Sequence, residues 1–262
     1  MKFIIFFITF SQLSIASVLL SDNKSPSWMI AADEETTSEI NEENFHSIIN
    51  EVTSLYIQEG INQQRSLVIR VADWQVPYYS AWARYEDEND LYTINFWGGF
   101  ARIPTMTERG FALTVCHEIG HILAGEPRLT LKHSDKMSAE GQSDYFASSK
   151  CFKKYQQSFP FPLEVELNPF AASKCLDKFT DSEQLDLCLQ TAKAGSDLAA
   201  VLSFHGQVEN SHFETPDLTE VEETINNSYP SIQCRLDTFL AGALSEYGKN
   251  EDLRPKCWYK QD

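Results

Sequence analysis

The run Cys116-His117-Glu118-Ile119-Gly120-His121 sets two imidazoles four residues apart, with a carboxylate between them. On a helix this spacing puts His117 and His121 on one face, where both rings can grip a single metal ion. Glu118 then points about 100° away and can reach a water bound to that ion. The chemistry implied is metal-assisted hydrolysis. A hydrolytic zinc site takes three protein ligands and keeps one position open, and Glu140 is the candidate for the third. It stands nineteen residues beyond His121 and opens Glu140-Gly141-Gln142-Ser143-Asp144, which runs on through Tyr145, Phe146 and Ala147 as a second helix. Asp144 shares a face with Glu140 and is placed to accept the outer ring N–H of a liganding histidine, fixing its tautomer. The metzincin arrangement fails, because its third histidine would fall six residues after His121, where Pro127 stands.

Two helices crossing at the metal need a scaffold. Thr105 and Glu108 have capping-box spacing and start the histidine helix, and Gly125 and Pro127 end it. Upstream, Phe45, Ile48, Ile49, Val52, Leu55 and Tyr56 form a helical stripe over 45–61. Segments 67–71, 79–85 and 91–97 alternate as strands, the last two joined by the charged turn 86–90. A further short strand is expected over 100–103, closed by Pro104. Extended substrates commonly add to an exposed sheet edge, and Gly98, Gly99, Phe100, Ala101 and Arg102 are the candidate edge. The equal alternative for them is a buried strand with a glycine bulge. Helices are expected at 182–193, 196–204 and 231–247, and Cys257-Trp258-Tyr259 reads as a terminal segment docked on the body. The fold class is α+β: a small, twisted, mainly antiparallel sheet packed on the active-site helix and the glutamate-ligand helix, with a helical C-terminal part.

With 262 residues and 42 % hydrophobic content, the chain suits one substantial domain, placed at 45–262. Lys2, the apolar run 3–10 and the small residues around Ser14-Ile15-Ala16 read as a signal peptide over 1–16, cleaved before Ser17. The polar, acidic stretch 17–44 reads as a flexible lead. An exported chain with six cysteines favours disulfides, and three bridges allow fifteen pairings. Cys116 points away from His117 on a helix, so it is packed or bridged rather than a zinc ligand. The net charge of −17 argues against nucleic acid and anionic lipid as partners. No later stretch is apolar enough for stable membrane insertion, so a secreted or periplasmic location is expected.

Three separated pieces resemble the gluzincins, and within them the family of HtpX and the CAAX prenyl endopeptidases, which also has soluble periplasmic members. They are His117-Glu118-Ile119-Gly120-His121, Glu140-Gly141-Gln142-Ser143-Asp144, and Tyr229-Pro230 followed by Arg235-Leu236. The resemblance implies a zincin-like fold, with Glu140 as the glutamate ligand and Arg235 lining the active site. Tyr229 stands where the family has a histidine thought to hydrogen-bond the substrate or oxyanion, and a phenol can donate the same bond. His205 and His212 are the substitutes should Tyr229 not serve; His46 and His133 are given no role. The expected function is a zinc endopeptidase acting on peptides or unfolded proteins, with one Zn2+ on His117, His121 and Glu140 and with Glu118 as general base. A zinc-stabilised binding or chaperone-like module is the alternative, and a different substrate such as a cell-wall amide shares the same metal chemistry.

Overall fold

The helix that carries both histidines is apolar nearly all round, and such a helix has to be wrapped on every side. This is α4 (Glu108–Leu123), in which every residue from Gly110 to Leu123 is buried. The computed structural model describes residues 28–63, 66–130, 135–162 and 166–261. The expected signal peptide, the first part of the lead and His133 lie outside the described residues. Before α4 come α1 (Glu42–Ser54), α2 (Ile57–Asn62), β1 (Leu67–Asp73), β2 (Ala81–Glu86), β3 (Leu91–Trp97) and a short α3 (Gly98–Ala101). After it come α5 (Glu140–Phe146), a π-helical turn Ala147–Cys151, α6 (Phe152–Ser158), α7 (Pro169–Lys178), α8 (Ser182–Gly206) and α9 (Ile232–Leu244).

One face of the sheet, α1 and α4 share the main core, built around Phe45, Ile94, Phe96, Phe111 and Ile119. The sheet is mixed rather than mainly antiparallel. β3 lies in the middle, antiparallel to β2 through the 86–90 turn and parallel to β1, giving the order β1-β3-β2. α4 also packs on α8, which pairs with α9, and α5 contacts both α4 and α9. No described helix is long and apolar enough to cross a membrane.

Three expectations are corrected. Residues 98–101 form the helical turn α3, buried throughout, instead of a strand at a sheet edge. Arg102, which follows, is also buried, and its guanidinium donates to the carbonyls of Ile30, Trp74 and Val76. It ties loops together and cannot meet a substrate. Residues 28–41 are packed rather than loose. Ile30 and Ile40 are buried, and the hydroxyls of Thr36 and Ser38 each donate at 2.7 Å to the carbonyls of Arg102 and Ala101. Finally, α4 is capped by Thr107, not Thr105: the Thr107 hydroxyl accepts the Gly110 N–H at 3.0 Å and donates to Asp197 of α8 at 2.7 Å.

Disulfides pair all six cysteines as Cys116–Cys151, Cys175–Cys188 and Cys234–Cys257. The first staples α4 to the π turn after α5, the second α7 to α8, and the third the C-terminal segment to α9. Closing the 35-residue loop between Cys116 and Cys151 stabilises the fold by about 4 kcal/mol in the chain-entropy account. Three such bridges fit a compartment that keeps cysteines oxidised.

Candidate metal centre

One turn of α4 brings His117 and His121 side by side, with ring centroids 4.7 Å apart. The first residue of α5 faces them. Glu140 Oε2 stands 3.2 Å from His117 Nε2 and 3.6 Å from His121 Nε2, and the three candidate ligand atoms all lie within 4.8 Å of one another. This trio could hold a metal ion. The crossing is close because Gly120, next to His121, presents no side chain to α5. A Cβ there would stand 2.9 Å from the Ser143 backbone of α5, nearer than real side chains approach.

The outer nitrogens of both rings are engaged. His117 Nδ1 lies 2.7 Å from Asp144 Oδ1. His121 Nδ1 lies 2.9 Å from the Ser138 carbonyl and 3.0 Å from the Ser143 hydroxyl. A carboxylate and a carbonyl can only accept, so each Nδ1 carries a hydrogen, and each Nε2 is the nitrogen left to face Glu140. Asp144 is held in turn by Arg235, whose Nε and Nη2 each donate at 2.8 Å. The chain Arg235–Asp144–His117 is buried along its length.

The charges in this buried cluster act strongly on one another. Burial opposes a charged His117 ring, but Asp144 and Glu140 outweigh burial and push it up to about 10. His121 is raised as well, with burial again overcome by Glu140. Against the cost of burial, the two imidazoles hold the Glu140 carboxyl well below the usual range. Protons are thus drawn into the gap between the rings and Glu140, where a divalent cation would satisfy the same lone pairs. The Oε2 atom of Glu118 is buried with no hydrogen-bond partner, as suits a base that would act on a bound water. Burial pushes the Glu118 carboxyl up, and the histidine charges pull it back.

Above the trio lies a cleft of about 710 Å³. It is lined by residues 79–85, by Thr114, His117, Glu118 and His121 of α4, by Leu198, Leu202 and His205 of α8, and by Tyr229 and Arg235. The sheet edge that borders it is therefore β2, and of the residues expected to form an edge only Phe100 reaches the cleft. Tyr229 is 69 % exposed at the mouth, with the Arg235 guanidinium 5.7 Å from its ring. The charge of Glu140 and partial burial push its phenol up to about 12, which keeps it a proton donor. His205 lines the cleft beside Tyr79, whereas His212 does not reach it.

The structure brings the candidate ligands together with Asp144 and Arg235, and sets Tyr229 at the mouth of the same cleft. Ser138 and Ser143 escaped the sequence reading. Ser143 follows Glu140 by three residues on the same helix and was open to discovery by that offset, while the Ser138 carbonyl leaves no trace in side-chain type. No protein-family profile, curated protein or solved structure matches this chain.

Proposed function

We propose that this chain is a zinc-dependent endopeptidase of the gluzincin type, similar to HtpX and the CAAX prenyl endopeptidases, acting on peptides or unfolded proteins in a secreted or periplasmic setting. The observation that carries the proposal is the convergence of His117 Nε2, His121 Nε2 and Glu140 Oε2 beside the unpartnered carboxylate of Glu118, at the floor of an open cleft. Two histidines and a carboxylate are a donor set suited to zinc in a hydrolytic site. When bound, the ion supplies Lewis acidity toward a water and toward the scissile carbonyl. Glu118 takes the proton released by the attacking water and passes it to the leaving nitrogen, and a carboxyl raised by burial suits that exchange. Tyr229 donates a hydrogen bond to the oxyanion that develops on the carbonyl oxygen. Arg235 acts through Asp144, which fixes the His117 ring. The disulfides and the expected signal peptide support work outside the cytoplasm.

Glu118→Gln is expected to retain one equivalent of zinc while peptide cleavage falls by at least about a thousandfold. His121→Ala should lose both zinc and activity. Metal analysis combined with cleavage of an unfolded protein measures the two separately. A Glu118→Gln variant that cleaved as fast as the parent would sink the mechanism, and zinc without cleavage in the parent would favour a binding module.

A further inference from the structure

Tyr79, Ala81, Ala83 and Tyr85 all pack toward the core side of the sheet. Alternation along an extended chain puts such residues on one face. Trp82 points the other way, where its ring meets Trp97 at 4.7 Å. Tyr79, just before β2, and Tyr85 within it thus flank the methyl groups of Ala81 and Ala83 along the cleft wall, and the two small side chains between two large rings leave a notch. Across from this edge the cleft is walled by Phe100 of α3, Thr114 of α4, and Leu198 and Leu202 of α8. The Thr114 hydroxyl is committed to the Gly110 carbonyl at 2.9 Å, so it offers nothing polar to a guest. Thr114 sits one turn before His117 and Glu118, so the notch opens directly beside the candidate catalytic groups.

The charged side chains of the cleft leave little for a charged guest. Arg235 is bidentate on Asp144, and Arg84 is paired with Glu86 at 3.1 Å. The remaining charge sits at the metal trio and Glu118, below the notch, in a protein of net charge −17. An acidic side chain would find both arginines already paired within an acidic protein, and a basic one would be buried among methyl groups. A bulky uncharged one would displace water from an apolar surface.

We infer that the notch over Ala81 and Ala83 is the specificity pocket of this site, and that it selects substrates carrying a large apolar or aromatic side chain next to the bond to be cleaved. This rests on the metallopeptidase reading for turnover, but pocket occupancy can be read without it. A matched pair of N-acyl amino hydroxamates, one with a benzyl and one with a methyl side chain, tests the pocket on the zinc-loaded protein by calorimetry. The benzyl compound should bind at least about tenfold more tightly. Ala83→Phe fills the notch and should bring that ratio close to one, with zinc content and melting temperature as controls for folding. Leu202→Ala enlarges the pocket from the opposite wall and should shift the preference toward a naphthyl side chain.

The same ratios are then measured as kcat/KM on peptides with phenylalanine, alanine, glutamate or lysine at each position flanking the cleaved bond. A benzyl-to-methyl ratio near one in the parent, a ratio unchanged in both variants, or a preference for glutamate or lysine overturns the notch. If the parent cleaves no peptide yet keeps the hydroxamate ratio and loses it in Ala83→Phe, the pocket stands and the endopeptidase reading falls.

Discussion

Asp144 has one negative charge to share between a guanidinium and an imidazole, both out of reach of solvent. Burial alone would raise its carboxyl, and Arg235 and then His117 more than reverse this. Such a residue matters most when removed. Asp144→Asn keeps the volume but strands Arg235 as an uncompensated buried cation, a loss on the order of 3–5 kcal/mol. The same change lets the His117 ring turn over, and metal affinity should fall about 10- to 100-fold. Denaturant unfolding of the metal-free protein measures the first effect, and competition with a chromogenic chelator the second. A normal metal affinity in a destabilised variant would show that Asp144 supports only the fold.

At the level of elements, the site depends on how closely α4 and α5 cross, and Gly120 sets that distance. Gly120→Ala improves helix propensity by roughly 1 kcal/mol, yet its methyl meets backbone rather than a side chain that could swing aside. The variant is therefore expected to be less stable by about 1–3 kcal/mol and to bind metal at least about tenfold more weakly, because Glu140 is pushed away from both rings. Thermal unfolding with and without zinc checks both. The pairs His117/His121 and Glu140/Asp144 were legible because an offset of four residues is set by helix geometry alone. Pairings between distant segments were not: nothing in 67–73 says that it lies parallel to 91–97, since that register is decided as Leu67, Ile69 and Ala72 pack against the common core. Residues 100–103 read as a strand because the apolar run is short, and short apolar runs suit either element. Two helices expected at 182–193 and 196–204 are one, α8, because Gly195 is not a break. It lies against Phe239, where a Cβ would stand 2.5 Å from the phenylalanine Cβ, and so admits α9. Helix α7 was overlooked although Asn168-Pro169 is a cap followed by an N1 proline.

For the molecule as a whole, Lys153 is a buried cation far from the cleft, with its ammonium donating to the carbonyls of Ala243 and Ser245 at 2.9 and 2.5 Å. It closes the C-terminal end of α9, and burial draws its pKa from 10.5 down to about 7. The unfolded chain holds this proton up to about 10.5 and the folded one releases it near 7, so between these limits unfolding takes up a proton. Stability contributed through Lys153 therefore rises with pH across that window, by at most about 1.4 kcal/mol per unit. Urea unfolding at pH 7, 8 and 9 should show this extra slope in the parent and not in Lys153→Met. A different whole-chain property follows from the bridge beside the first histidine. Cys116 and Cys151 close a ring of chain that contains His117, His121, Glu140 and Asp144 together. Even when melted, the oxidised polypeptide cannot scatter these groups, and they face an ion at high effective concentration. Stripped in urea by a chelator, the oxidised chain should recapture zinc at least about tenfold more tightly than its reduced and alkylated counterpart. Equal affinities would show that the ring confers no such memory; a clear difference would mean that closing the ring also readies the chain to capture a metal ion.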